Sequence, residues 1–318
     1  MKLKKQVTRR QHYVWRNYLS QWTTGKNICC WRDQRSFKAG LMNVAQERDF
    51  YKLKELQEAD IAILKQMIHE SDVSDMLKEV NLRWIEDFQK IFDVRSYLIK
   101  KKTPLKSIDT ELDSLIISLE EDIHSRLEGA MAPLLRRLLD QDETVFTKDE
   151  NYTTFCLFIA AQYLRTNNMK QRLHMHEISN LPGFTERSLG VLRAIFSTNI
   201  GGALFANREN LKPVFLKNTS NINFITSDQP VVNCCDELDD NDIPTDLEFF
   251  YPISPRLAIH IGSSNNVTGE TIEVSESQVD NFNKKLIEFS YNQVFALTIE
   301  ETEHYSQFLP KKNSESIS

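Results

Sequence analysis

Apolar residues recur along the chain with two periods, and the change from one to the other divides it. Leu53, Leu56, Ile63, Leu64 and Met67 share one helical face. Val73, Leu77, Val80, Trp84, Phe88 and Ile91 come after them at three-to-four spacing, the pattern of an amphipathic helix, with Ser71-Asp72 as its cap. Helical character begins near Leu41. Thr103-Pro104 breaks the pattern, Ser107 can cap the next helix, and Ile108, Leu112, Leu115, Leu119, Ile123 and Leu127 make a second stripe. Gly129 and Pro133 predict a kink or a break before 134–139. From Asp149 the pattern loses its polar face: Tyr152, Phe155, Cys156, Leu157, Phe158, Ile159, Ala160 and Ala161 predict a helix buried at the centre. One more helix is expected over 186–200.

Beyond about residue 210 the period shifts toward two. Residues 213–216, 222–226, 249–253, 257–261 and 271–274 read as strands, 278–291 as a helix and 293–299 as a closing strand. Near the other end, 27–31 reads as a short strand after the Thr24-Gly25 turn. A helical half followed by a strand-rich half predicts an α+β fold, a long helical N-terminal half packed on a smaller mixed or antiparallel sheet. The expected divisions are a basic aromatic arm (1–40), a helical region (41–205), a strand-rich region (206–300) and a flexible tail (301–318), all in one integrated domain.

Composition narrows the function. With 318 residues and 41% apolar content there is ample material for a core. A net charge of −6 excludes a globally basic nucleic-acid coat, although the first ten residues are basic and 236–248 are acidic. No apolar run approaches the length of a membrane helix and no leader pattern opens the chain, so the expectation is a cytoplasmic protein with no membrane partner. The five cysteines include two vicinal pairs, Cys29-Cys30 and Cys234-Cys235, and no CxxC, which predicts reduced, packed thiols. His174 and His176 lie two apart, the wrong spacing for a helical zinc pair. There is no Walker loop and no GxSxG elbow.

Four features carry candidate chemistry. The run Phe224-Ile225-Thr226-Ser227-Asp228-Gln229-Pro230 ends a strand at a proline, which places Asp228 at a strand tip. Asp228 there is either a working carboxylate or the side chain of an Asx-turn. Gln162 and Arg165 stand one turn apart at the end of the apolar helix. A charged Arg165 in that setting needs a partner, either an ion pair or an anionic ligand. His12 sits among aromatic residues as a general base, a metal ligand or a packed ring. Glu47 precedes Phe50-Tyr51 and either pairs with a cation or faces water; Glu58 and Glu121 are further helical carboxylates of the same ambiguity.

Taken in order, His12-Tyr13-Val14, Tyr18-Leu19, Glu47 with Phe50-Tyr51, Gln162-Tyr163-Leu164-Arg165-Thr166, Phe224 to Pro230 and Tyr251-Pro252-Ile253-Ser254-Pro255-Arg256 resemble the bacterial domain of unknown function 4238 family over about 10–298. Trp15 stands where the family pattern usually has a proline. The resemblance implies a bacterial or mobile-element origin, and implies that His12, Glu47, Gln162, Arg165, Ser227 and Asp228 meet in one pocket. It implies no reaction.

Three functions remain open at this level. One is a toxin-like or defence-associated phosphodiesterase or nuclease. There Asp228 and Glu47 would hold Mg or Mn, Arg165 would stabilise phosphate charge, and His12 would move a proton. Gln162 and Ser227 would bind the substrate, a nucleic acid or a nucleotide. Against it, the strand after Asp228 carries Glu248-Phe249-Phe250 and lacks the lysine of a restriction-type core. The second is a non-catalytic sensor or binding module for an anionic small molecule or nucleic acid, its helical half facing a partner protein. The third is a structural protein whose motif residues tie the two halves together.

Overall fold

The computed structural model describes residues 8–101, 106–175, 181–237 and 244–310. The basic run 1–7, Thr103-Pro104, His176, the acidic run's Asp239, Asp240 and Asp242, and the tail from 311 lie outside them.

In chain order the N-terminal segment contributes β1 (Arg10–His12), α1 (Arg16–Leu19), β2 (Thr23–Thr24), β3 (Asn27–Arg32), β4 (Arg35–Gly40) and β5 (Gln46–Arg48). The helical region adds α2 (Glu58–Glu70), α3 (Asp75–Lys100), α4 (Lys106–Leu139), α5 (Thr144–Thr147), α6 (Asp149–Leu164), α7 (Asn167–Met175) and α8 (Phe184–Ala206). Then come β6 (Lys212–Asn218), β7 (Thr226–Ser227), β8 (Val232–Asn233), β9 (Phe249–Ser254), β10 (Leu257–Gly262), β11 (Thr271–Val274), α9 (Glu276–Glu288), β12 (Val294–Ala296) and α10 (Ile299–Ser306). The fold is α+β.

One sheet is local to the C-terminal half, in the order β11-β6-β10-β9-β8, antiparallel except where β11 runs parallel to β6. The other joins the two ends of the chain. It runs β2-β3-β12-β7 with β4 on β3, and β12 pairs Phe295 with Cys30 on one side and with Thr226 on the other. A small third pair, β1 with β5, sets His12 opposite Gln46.

Several local expectations change for identifiable reasons. Beyond a 3-10 turn at Leu41–Asn43, residues 44–57 are not helical: Ala45 and Asp49 adopt φ of 46° and 55°, left-handed values that no helix accommodates. The cap of α3 is Ser74, whose hydroxyl accepts the Leu77 N–H, rather than Ser71-Asp72. Helix α4 runs unbroken through Pro133. The carbonyl that loses its donor and meets the proline ring is that of Gly129, which is exposed and carries no side chain of its own. Residues 222–225 form no ladder; the Asn283 side chain on α9 bonds Ile225 N–H and Asn223 C=O in place of a strand. Residues 299–306 are helix α10, started by a Thr298–Glu301 capping box, in place of the expected strand end and tail.

Helix α8 is long and apolar enough to cross a membrane by length and composition, which corrects the expectation that no segment is. Here it packs against α6 and carries a buried Arg193. Helix α6 itself is buried from Tyr152 to Leu164 on almost every side, as the loss of a polar face predicts. The main core gathers α6, the end of α4, the N-terminal aromatics Tyr13, Tyr18 and Trp22, and β9 and β10. A second core holds α2, α3, α4 and α8 together, and a third lies under α9 and α10. The N-terminal segment is therefore sandwiched between the helices and both C-terminal strands and helices, and a pocket opens along its helical side.

Candidate functional site

A cavity of about 400 Å³ opens where the end of β1 and α1 meet the middle of α4 and the end of α6. His12 comes from β1, Arg16, Asn17 and Ser20 from α1 and the turn after it, Glu121, His124, Ser125 and Glu128 from one face of α4, and Arg165 from the C-cap of α6; Trp15, Leu41 and Tyr51 complete the wall.

Arg165 is only 2% exposed. Its Nη2 donates to Gln162 Oε1 at 2.7 Å and lies 2.7 Å from Glu128 Oε1, while its Nε has no partner. Burial opposes the guanidinium charge, but the Glu128 carboxylate beside it more than compensates and holds its pKa above the usual value. Gln162 is equally buried and donates its own amide to Tyr13 C=O, so it ties the arginine to the N-terminal segment.

The two imidazoles of the wall are held neutral. His12 lies 3.3 Å from Leu41 C=O through Nε2, and burial, then the neighbouring Arg16, bring its pKa down to about 4. Burial also lowers His124, partly offset by Glu120 3.6 Å away. Glu120 in turn pairs with Arg193 at 2.7 Å, and the Arg193 guanidinium covers the rings of Phe50 and Tyr51. The Tyr51 ring lies tilted against His124 and its hydroxyl donates to His12 C=O. With both imidazoles neutral, the charged wall residues are Arg16 and Arg165 against Glu121 and Glu128.

Of the residues singled out in the sequence, the structure brings His12, Glu121, Arg165 and, one bond behind, Gln162 to this pocket. Ser227 and Asp228 lie elsewhere, buried. Ser227 and Gln229 close a turn, the Gln229 N–H donating to Ser227 Oγ. Asp228 accepts the backbone N–H groups of Tyr291 and Asn292 as well as that of Gln293, so both of its oxygens are committed to the turn ahead of β12. Burial pushes its carboxyl up to about 6 against the pull of those three donors. Glu47 is exposed on β5, its nearest partner the Asn167 amide at 3.4 Å. The assignment of Asp228 and Glu47 to one metal ion with His12 and Arg165 is thus not what the geometry offers. Among the described residues no group of three or more His, Cys, Asp or Glu side chains converges on a metal position. His174 pairs with Glu186 at 3.1 Å.

The pocket residues that sequence reasoning passed over are Arg16, His124 and Glu128. The latter two had a readable signal: with Glu121 they fall at three- and four-residue spacing on one face of α4, beside the apolar stripe.

The site is thus a polar cavity in an α+β fold with a buried arginine and two imidazoles in its wall. A family model described as "Protein of unknown function (DUF4238)" matches residues 10–194 and 190–299, and the chain belongs to that family. No curated protein and no solved structure matches it.

Proposed function

We propose that this pocket is a receptor for a small anionic molecule bearing a phosphate or carboxylate group. The observation that supports it is Arg165, almost wholly buried, charged, lining a cavity of about 400 Å³ and holding an Nε donor with no protein partner. Arg193, paired with Glu120 away from the cavity, also leaves guanidinium nitrogens unpartnered, so it is the cavity beside Arg165 that carries the reading. Arg16 at the rim adds a second positive charge, and the volume suits a group the size of a nucleoside monophosphate fragment. Thermal-shift titration with inorganic phosphate, pyrophosphate, nucleoside monophosphates and dicarboxylates tests this. At least one should raise the Tm of the wild type and leave Ser125→Trp, which fills the mouth from an exposed position, unmoved. Equal shifts in both proteins would place binding elsewhere.

The second reading is a phosphodiesterase, favoured by the two imidazoles in one wall. An anion bound between Arg16 and Arg165 would offset their lowering effect on His12 and move its pKa toward neutrality, where an imidazole transfers protons best. Hydrolysis of bis(p-nitrophenyl) phosphate in the presence of EDTA, lost in His12→Gln, supports that reading; binding without turnover supports the receptor alone.

A further inference from the structure

Arg165 has a resident anion. Of the two groups on its Nη2, Gln162 is neutral and pinned by its bond to Tyr13, whereas Glu128 is charged and the more accessible, its side chain 22% exposed against 3% for Arg165. Both members of the pair line the pocket. We propose that Glu128 is a specificity-determining residue whose carboxylate stands in for the ligand on Arg165, so that the pocket accepts dianionic phosphate or sulfate groups and rejects monoanions. The proposal rests on the receptor reading and names its ligand class.

Charge exchange at Arg165 makes the selection. A monoanion entering the site swaps one negative charge on Arg165 for another and leaves the displaced Glu128 carboxylate close by, so it gains little. A dianion brings a further charge, and Arg16 is placed to meet it: its guanidinium is exposed at the rim and contacts the Met42 sulfur rather than a carboxylate. Selection against wrong ligands by an internal competitor is a recognised route to specificity, because specificity is a difference of affinities.

The titratable and charged groups around Glu128 are Arg165 from the end of α6, His12, Arg16 and Tyr51 from the N-terminal segment, Tyr251 on β9, and Glu121 and His124 on its own helix. Burial lowers both histidines, His12 to about 4, and raises both tyrosines. Between about pH 5.5 and pH 7.5 inorganic phosphate passes from mainly singly to mainly doubly charged while sulfate does not change, so sulfate controls for titration of the protein.

Isothermal titration with sulfate, inorganic phosphate and dimethyl phosphate against wild type and Glu128→Gln tests the inference. Wild type should bind sulfate about tenfold more tightly than dimethyl phosphate, a difference of about 1.4 kcal/mol. Its phosphate affinity should rise from pH 5.5 to 7.5 while its sulfate affinity stays level. In Glu128→Gln the monoanion should gain most and the preference should shrink. Glu128→Asp, which keeps the charge but withdraws it, should fall between and serves if the glutamine variant does not fold. Anion binding by wild type with no gain for dimethyl phosphate in either variant overturns the role of Glu128 and spares the receptor. No binding of any of the three anions to any of the proteins overturns both.

Discussion

Asp228 and Gln293 exchange two backbone-directed hydrogen bonds: the Asp228 N–H donates to Gln293 C=O at 3.1 Å, and Asp228 Oδ2 accepts the Gln293 N–H at 3.0 Å. Gln293 then donates its amide to Tyr13 Oη and accepts the Ala45 N–H through Oε1. A single carboxylate thereby fixes the turn that delivers β12 between β3 and β7, the point where the two ends of the chain are stitched together.

Asp228→Asn replaces one acceptor oxygen with an amide that faces a backbone N–H. It should destabilise the protein by about 1–3 kcal/mol, the cost of leaving a buried donor unmet. Ligand binding at the pocket should persist wherever the variant is folded. Chemical denaturation and a binding titration on the same sample check both halves. The carboxyl also has a pH signature. Its folded pKa, about 6, lies above the ordinary Asp value, so the folded state holds the proton more tightly. Its contribution is complete below the unfolded pKa and is lost as pH rises toward 6. Asp228→Asn should remove that decline.

Arg165→Ala leaves Glu128 without its cation and Gln162 without a donor. A loss of roughly 3–5 kcal/mol is expected for breaking such a pair from one side. Glu128→Gln keeps an acceptor oxygen but removes the counter-charge of the buried guanidinium, and should cost about 1.5–3 kcal/mol. A double-mutant cycle by urea denaturation should find the two positions coupled, since they share one contact.

His12 titrates in the opposite sense from Asp228. Burial and Arg16 hold its folded pKa near 4, below the ordinary histidine value, so the unfolded chain takes up the proton first. Stability from this group is present above the unfolded pKa and is lost as the solution is acidified toward pH 4. His12→Gln should flatten that part of the stability profile. Unfolding midpoints at half-unit steps in pH report the slope directly.

Gly190 sits on α8 where that helix approaches α4. A Cβ there would meet Glu120 Oε2 at 2.9 Å, Leu53 Cδ2 at 3.0 Å and Phe88 Cε1 at 3.0 Å. Gly190→Ala should cost about 1–3 kcal/mol by overpacking despite the better helix propensity of alanine. Because Glu120 backs His124, the variant should also perturb the His124 ring resonances; an unchanged spectrum and Tm would contradict this packing.

The long helices and the division into a helical and a strand-rich half could be read because α3 and α4 bury a periodic stripe and α6 has almost no polar face at all. Among the N-terminal strands β3 was read, as 27–31, but β1, β2, β4 and β5 were not. The pairing of β3 with β12 joins positions more than 250 residues apart, and a strand such as β4, with Arg35, Ser36 and Lys38, shows no apolar run. Residues 222–225 read as a strand because three of the four are apolar, but their hydrogen bonds go to Asn283, Pro255 and Trp22 rather than to a ladder. At the site, Arg165 and Gln162 were visible as polar residues at the end of an apolar helix. The identity of the arginine's partner was not, since nothing local to either helix marks Glu128 as the residue that faces it.

An anion received by Arg165 and the imidazoles beside it must alter the titration of those imidazoles. The most direct measurement is therefore a ¹H–¹⁵N spectrum of the histidine side chains during titration with inorganic phosphate at pH 7.5, on wild type and Ser125→Trp. Saturable changes at His12 and His124 are expected, with an upward shift in their pKa values on binding and no change in the plugged variant. Unmoved His12 and His124 resonances at saturating phosphate, or identical changes in Ser125→Trp, would contradict anion binding at this pocket.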